Sequence, residues 1–360
     1  MKSWMQTAFT RTLNLALPIV QGPFGGGLSS VALTAAVSEA GGLGSFGAHH
    51  LDGSNIIATA NAIRQHTDKP FALNLWIPFD NSDAPRISAE HKLALIRAVT
   101  PYFAELNQPV PEFPARFSPD FSEQMDAVLE ARPAVFSFVY GVPSADIIER
   151  CRARNIKTLG AATTVDEAVA LEQAGVDMVV ASGCEAGGHR VAFLQPPENG
   201  LNGTLALVPQ VADAVRIPVI AAGGIADGRG IAAVLALGAS AAQIGTAFLA
   251  CDESGTTDLH RTALFSPAAR DTRLTKVFSG RLARGLHNRL IDDANQIPIA
   301  PYPIQSWLMG QLKQAAIQAE RADLMSLWAG QGAPLLRHHK AQDLMRSLVE
   351  ETEHVFQRLR

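Results

Sequence analysis

The stretch "IPVIAAGGIADGRGIAAVLALGASAAQIGT", residues 217–246, predicts one strand–helix–strand unit. "IPVIAAG" and "AAQIGT" are apolar runs of strand length, and the uncharged segment that begins at residue 230 favours a helix followed by a turn near Gly238. Strands that are joined through a helix are typical of a parallel sheet, because the crossover returns the chain to the same edge. The stretch therefore indicates an α/β fold.

The same alternation extends through most of the chain. The predicted strands are 18–22, 43–47, 71–76, 134–140, 156–162, 177–182, 217–223 and 241–246. Between them, "SSVALTAAVSEAGG" and "TTVDEAVALEQAGV" open with capping residues and favour helices. Eight strand–helix units in about 250 residues match the size of a TIM (β/α)8 barrel, which we predict for residues 1–251.

Two regions of the sequence are additional to the eight strand–helix units of a minimal barrel. Residues 78–123, rich in proline, phenylalanine and charge, form a predicted insertion after the third strand, on the side where barrel enzymes keep their active sites. We expect this insertion to act as a lid or a substrate wall. Residues 252–360 predict a mostly helical extension that packs on the barrel, and its helices are the candidate contact of a homodimer.

Composition excludes several classes of partner. A formal net charge of -4 and a pI near 6.2 give no long-range attraction to nucleic acid or anionic lipid. The uncharged run 230–251 is interrupted by glycine and polar residues, so we predict no membrane span. The N-terminus has no signal-peptide pattern, and three scattered cysteines suit neither a disulfide framework nor a zinc site. We expect a cytoplasmic protein without a bound metal.

Glycine-rich loops follow the last two predicted strands. "AAGGIADG" follows the seventh strand and "QIGT" ends the eighth, where barrels commonly bind phosphate through backbone N–H groups and a helix N-terminus. Gly223, Gly224, Gly245 and Thr246 are the candidate cradle. Tight turns alone would also explain each glycine, but two such loops at neighbouring positions favour a ligand that carries a phosphate.

The segment "ASGCEAGGHR", residues 181–190, follows the sixth predicted strand. Its glycines allow the backbone to approach a flat ligand, and His189 could then act as a general base, since the ordinary pKa of histidine is about 6.5. A structural histidine is the alternative. Glu185 is either a supporting partner or a solvated loop acid.

Two further segments carry candidate cofactor contacts. Asn74 closes the third predicted strand, where its amide could bind a flavin ring or a phosphate, or could simply cap the strand. "QGPFGGG" includes Gly22 and leaves the first strand on a path that permits close backbone approach. His49 and His50 are expected to be polar loop residues.

Several motifs together resemble a known enzyme family. "PIVQGPFGG", "FALNLW", "GCEAGGHR", "AAGGIADGRGIAAVLALGASAAQIGTAFLACDES", "FSGRLARGLHNR" and "LWAGQG" occur in that order between about residues 15 and 335. This pattern resembles the nitronate monooxygenases, formerly called 2-nitropropane dioxygenases. The resemblance implies an FMN-containing TIM barrel that oxidises alkyl nitronates, typically propionate 3-nitronate, with O2 to a carbonyl compound and nitrite.

The resemblance also implies roles for individual residues. His189 matches the catalytic histidine, the base for nitroalkane deprotonation and a contact for the nitro group. The positions with an implied or candidate role in FMN binding are Gly22, Asn74, Ser182, Gly187, Gly188, Gly223, Gly224, Gln243, Ile244, Gly245 and Thr246.

Two positions depart from the family pattern. Many members have glutamine where this chain has Ser182, and nitronate-oxidising members often read "FHFG" where this chain reads "FVYG". Val139 thus occupies the histidine position and Tyr140 lies beside it, and both are assigned to the substrate pocket.

The sequence leaves two other functions open. One is an FMN-dependent NAD(P)H reductase of the enoyl-ACP or quinone type, because flavin and nicotinamide can stack in one pocket without a separate Rossmann unit. The other is a catalytically weak flavin-binding protein that acts through partners.

Overall fold

The computed structural model describes residues 3–78 and 87–359 and contains two β-sheets. The strands of the larger sheet are β1 (Ile19–Gln21), β2 (Gly44–Gly47), β3 (Phe71–Trp76), β4 (Val135–Val139), β5 (Lys157–Ala162), β6 (Met178–Ser182), β8 (Val219–Ala222) and β9 (Ala241–Ile244). The strands of the smaller sheet are β7 (Gly188–His189), β10 (Thr272–Thr275) and β11 (Ala283–Leu286).

The larger sheet is a barrel of parallel strands. Its order is β1-β9-β8-β6-β5-β4-β3-β2, and every pair of neighbours in this order is parallel. The two ends of this order meet through Leu43: its N–H donates to Ile19 O at 2.9 Å, and its carbonyl accepts from Gln21 N at 3.0 Å. The predicted TIM barrel is therefore confirmed, and each predicted strand range contains one observed strand.

Helices connect the strands and surround the barrel. They are α1 (Ala8–Leu13), α2 (Val31–Glu39), α3 (Gly53–His66), α4 (Ala89–Glu105), α5 (Phe121–Ala131), α6 (Ala145–Arg152), α7 (Val165–Gln173), α8 (Thr204–Ala214), α9 (Gly228–Ala236), α10 (Thr246–Leu249), α11 (Asp258–Leu264), α12 (Arg289–Asp292), α13 (Ile304–Gln318) and α14 (Ala341–Arg358). The predicted capping residues are in place: the Ser30 side chain accepts from Leu33 N in α2, and the Thr164 side chain accepts from Glu167 N in α7. Within the described ranges, no helix is long and apolar enough to cross a membrane.

Alternating strand residues build two apolar layers. Val180 and Ile220 belong to the cluster inside the barrel, together with Phe9 of α1. Their neighbours Val179 and Ala221 belong to the cluster between the strands and the outer helices. Strands buried on both faces have continuous apolar sequences, which explains why they were recognisable in the sequence.

The two additional regions pack together beside the barrel. Helix α4 lies within the predicted insertion and contacts α13 of the C-terminal extension, while residues 79–86 of the insertion lie outside the described residues. Helix α14 packs against α9 and α2 of the barrel. The extension also contributes β10 and β11, which the sequence analysis did not predict. A lid role for the insertion and a homodimer contact stay predictions.

Candidate active site

A cavity of ≈ 690 Å³ lies at the carboxyl ends of the barrel strands. The predicted site residues that line it are Gly22, Asn74, Val139, Ser182, Gly187, Gly188, His189, Gly223, Gly224, Gln243, Gly245 and Thr246. Two predicted residues do not line it. Ile244 has its side chain in the core and accepts from Gly22 N at 2.9 Å through its carbonyl, and Tyr140 is buried beside Trp76.

The smaller sheet holds His189. In β7, His189 pairs with Ala283 of β11, and Gly188 pairs with Arg284. Next to this pair, Arg190 N donates to Leu282 O at 2.8 Å. His189 Nε2 lies 2.8 Å from the Ser279 hydroxyl oxygen, in hydrogen-bonding contact. A histidine in a barrel loop thus has its position fixed by the C-terminal extension.

Two charged side chains hold the loop that precedes His189. The buried Arg190 guanidinium donates to the carbonyls of Ser182 at 3.0 Å, Gly183 at 2.7 Å and Gly200 at 3.1 Å. The Glu185 carboxylate accepts from Thr204 N at 2.9 Å and from the Thr204 hydroxyl at 2.9 Å. Glu185 is therefore a supporting residue of the loop, which is one of the two roles the sequence left open.

The electrostatic environment keeps His189 neutral. Burial, and secondarily the nearby Arg281 guanidinium, lower the pKa of His189 from 6.5 to about 3. Both causes disfavour the imidazolium form. At neutral pH the side chain is therefore a neutral imidazole and a weaker base than an exposed histidine.

Aromatic side chains form one wall of the cavity, which we call the aromatic wall: His49, Trp76, Phe278 and Trp328. The His49 ring stacks on Trp76 with centroids 3.9 Å apart and an interplanar angle of 8°. His189 meets the Trp76 ring edge-on at 5.1 Å and the Trp328 ring at 5.3 Å. Burial holds the pKa of His49 well below its usual range, so the expected polar loop residue is in fact a neutral part of this wall.

Behind the aromatic wall, a cation packs between tyrosines. The Arg281 guanidinium carbon lies 3.9 Å from the Tyr140 ring centroid and 4.1 Å from that of Tyr302. Tyr140 has a φ of +73°, an uncommon conformation for a residue other than glycine. The Tyr140 ring contacts the Trp76 ring edge-on, with the two ring centroids 5.1 Å apart. A direct contact between Tyr140 and substrate stays a prediction.

Another part of the site is built from backbone. A Cβ added at Gly187 would lie 2.5 Å from Gly330 N, so only glycine allows these two segments to approach this closely. Gly224 has a φ of +71°, which glycine adopts without strain. Helix α10 begins at Thr246 and has no side-chain cap, while the Thr246 hydroxyl accepts from Gly330 N at 2.9 Å.

These features fit a flat cofactor that carries a phosphate. A helix N-terminus with an uncapped first turn favours an anion, and neighbouring glycines allow backbone N–H groups to reach it. Asn74 lies in the cavity with its amide held by a 3.0 Å hydrogen bond to the Ser137 hydroxyl. Across residues 3–78 and 87–359, no group of three potential ligands suits a metal ion.

Several residues of the candidate site were not identified in the sequence analysis. Trp76 and Trp328 lie in the quoted motifs "FALNLW" and "LWAGQG", yet a motif does not tell which side chain faces the cavity. Ser279 contacts His189 although the two residues are 90 positions apart in the sequence. Lys313 lines the cavity from α13, although nothing local distinguishes it from other helical lysines.

Comparisons with known proteins agree with this site. A family model described as nitronate monooxygenase matches residues 6–351. The chain belongs to the nitronate monooxygenase family. A "Probable nitronate monooxygenase" of Staphylococcus aureus strain Newman is 38% identical over 357 residues, covering 98% of this chain and 99% of the relative.

Solved structures show the same relationship in three dimensions. Nitroalkane oxidase from Streptomyces ansochromogenes matches with a TM-score of 0.89 and 38% identity, covering 98% of this chain and 100% of that chain. FabK from Thermotoga maritima matches with a TM-score of 0.75 and 28% identity, covering 98% of both chains. This nitronate monooxygenase family member is therefore an oxidoreductase of a flavin-dependent family, and its general chemistry is the oxidation of nitro compounds.

Proposed function

We propose that this chain binds FMN and oxidises alkyl nitronates of the propionate 3-nitronate type with O2 to a carbonyl compound and nitrite. The observation that carries the proposal is that a neutral His189, held by Ser279 at 2.8 Å, faces the same cavity as the glycine cradle. A reacting group and a cofactor site at the ends of neighbouring barrel strands are the arrangement that this fold uses for catalysis.

Different residues of the chain would bind the phosphate and the ring of the cofactor. Gly223, Gly224, Gly245 and Thr246 would bind the phosphate at the N-terminus of α10. The residues that would contact the flat ring are Gly22, Asn74, Ser182, Gly187, Gly188 and Gln243. Bound FMN would supply the redox chemistry, taking electrons from the nitronate and passing them to O2.

A neutral His189 suits an anionic substrate that has already lost its proton. When the Ser279 hydroxyl donates to Nε2, the proton of the neutral imidazole is on Nδ1, which can then donate a hydrogen bond to a nitronate oxygen. Lowering the pKa from 6.5 to about 3 makes protonation of His189 less favourable by about 5 kcal/mol. Abstraction of a proton from a neutral nitroalkane is therefore the less favourable role.

The side chains of the cavity wall would make the surroundings of the reacting carbon apolar. Trp76, Trp328 and Phe278 present aromatic surface and limit the access of water to His189. Val139 adds an apolar side chain where nitronate-oxidising relatives often have histidine. We propose that His189 contacts the nitro group, with His49 and His50 lining the same cavity.

The test is a visible spectrum of the FMN-loaded protein under anaerobic conditions. We expect loss of the oxidised flavin absorbance on addition of propionate 3-nitronate, with nitrite released once O2 is admitted. A flavin that stays oxidised with the nitronate but is bleached by NADH would instead support the reductase function. Stable FMN binding without reduction by either donor would point to a flavin-binding protein of low activity.

A further inference from the structure

A second imidazole lies in the cavity, in the loop that follows the second barrel strand. His49 comes two residues after β2 and lines the cavity, and its ring stacks on Trp76 with the two ring centroids 3.9 Å apart. The edge of the ring lies against Gly25, where an added Cβ would overlap the His49 ring carbon Cε1. A side chain at position 25 would therefore displace the imidazole, which fits between a tryptophan and a glycine.

Three hydrogen bonds fix the backbone that carries this ring. Ala48 N donates to Asn74 O at 2.9 Å. The buried Gln124 side chain of α5 donates to His49 O at 3.0 Å and to Leu51 O at 2.6 Å. The imidazole is thus held in place by the protein itself, which lowers the entropy cost of binding a ligand there.

The nitrogens of the His49 ring make no hydrogen bond to any described residue. Nδ1 is buried, whereas Nε2 is not fully enclosed. Burial keeps the pKa of His49 well below its usual range, so the imidazole is neutral and carries one proton. Buried N–H groups without an acceptor are rarer in proteins than buried acceptors without a donor, which favours the tautomer with the proton on Nε2. The ring then offers an N–H donor to a ligand in the cavity.

This donor lies near the position where nitronate-oxidising relatives often have histidine. Val139 is paired with Trp76 between β4 and β3, and His49 stacks on the same tryptophan. His189 contacts Trp76 edge-on, with the two ring centroids 5.1 Å apart. The cavity of this chain therefore has two imidazoles around Trp76, although position 139 carries valine.

We propose that His49 is a second substrate-binding histidine, whose Nε2–H donates to one oxygen of the nitronate group while His189 binds the other. The inference rests on the proposed function, in which this group lies against His189. A nitronate is a planar anion with two oxygens, and a hydrogen bond to an anionic oxygen is stronger than one between neutral groups. Bound substrate would also give the polar ring the partner that the protein does not supply.

Two variants separate hydrogen bonding from ring stacking. His49→Phe keeps an aromatic ring beside Trp76 but has no N–H, whereas His49→Gln loses the ring but carries an amide that can donate. With FMN-loaded proteins and propionate 3-nitronate, we expect His49→Phe to raise KM about 10- to 100-fold and His49→Gln to stay close to wild type. If the ring serves only to support Trp76, this order is reversed and the proposal is wrong.

A second-site variant tests whether position 49 replaces position 139. Val139→His in the His49→Phe background should recover about 10-fold of the lost affinity, because it restores one imidazole donor. A double variant no better than His49→Phe would contradict this replacement. His66→Gln, at the exposed end of α3, is the control and should leave KM unchanged. If His49→Phe lowers the affinity for FMN as strongly as that for substrate, the imidazole contacts the cofactor and the proposal fails.

A binding measurement keeps this proposal separate from the proposed function. Propanoate has a planar anionic group with two oxygens, as a nitronate does, but it is not a nitro compound. In calorimetric titrations of the FMN-loaded proteins, we expect propanoate to bind wild type about 10-fold or more tightly than His49→Phe. Equal binding by the two proteins would overturn the proposal. If wild type oxidises no nitronate, the proposed function fails, and the propanoate titration still decides whether His49 binds such an anion.

Discussion

Replacing Gly245 by alanine would separate the role of the glycine cradle in folding from its role in binding. Gly245 has a φ of −97°, which alanine adopts readily. Among the described residues beyond its chain neighbours, an added Cβ would have only the Phe24 ring carbon Cε1 within 4 Å, at 4.0 Å, which is ordinary van der Waals contact. Gly245→Ala should therefore leave the stability of the FMN-free protein unchanged or raise it by up to about 1 kcal/mol, since alanine restricts the unfolded chain.

In the proposed function, the same methyl group would stand where the backbone would bind the FMN phosphate. It would project at the uncapped start of α10, beside Thr246. The loss of one or two charge-assisted hydrogen bonds corresponds to about 10- to 100-fold weaker FMN binding. FMN affinity would be measured by quenching of flavin fluorescence, and stability by urea unfolding of the FMN-free protein.

Gly187→Ala provides the matched contrast, because its Cβ would overlap backbone atoms of residues 329 and 330. It should lower the free energy of unfolding by about 1–3 kcal/mol even without FMN. The reasoning would be refuted if Gly245→Ala bound FMN as well as wild type, or if it destabilised the FMN-free protein as much as Gly187→Ala does.

Three further predictions concern the histidine loop and its surroundings. His189→Ala should lower kcat/KM for nitronates about 100-fold or more at unchanged FMN content, because the proposed hydrogen-bond donor to the nitronate oxygen is lost, and full activity would contradict that role. Arg190→Met, which leaves three carbonyls without their buried donor, should lower the free energy of unfolding by about 3 kcal/mol in urea, and a loss below about 1 kcal/mol would contradict this structural role. Finally, His189 and His260 both have folded pKa values of about 3 and an ordinary value of 6.5, so only the unfolded chain takes up these protons between those pH values. Their contribution to stability is complete above pH 6.5 and declines as pH falls towards 3, by up to about 1.4 kcal/mol per pH unit for each histidine. Urea unfolding at several pH values should therefore show that the free energy of unfolding depends less steeply on pH in His260→Gln than in wild type.

The barrel could be predicted because its signals are local. Each strand is a short apolar run buried on both faces, and capping residues such as Ser30 and Thr164 mark where helices begin. The glycine loops could also be placed, since parallel strands bring their carboxyl ends to one side of the barrel. Gly223, Gly245 and His189 consequently line the same cavity, as their positions after the strands predicted.

The chemical state of the site could not be predicted in this way. The burial of His49 follows from its stacking on Trp76, and a sequence of two adjacent histidines gives no sign of it. The basicity expected for His189 assumed an ordinary pKa, whereas burial and Arg281 lower it. Both effects depend on which distant segments pack around the ring, and local sequence does not specify them.

The small sheet explains why the C-terminal extension is part of the active site. The loop that carries His189 contains several glycines, and such a backbone would sample many conformations if it were free. Pairing with Ala283 of β11 and contact with Ser279 restrict the histidine to one position. The same extension supplies Arg281, which helps to keep the imidazole neutral, and Lys313 in the cavity wall. In the proposed function, the barrel would therefore provide the backbone cradle for the cofactor, while the extension would set the position and charge of the groups that meet the substrate.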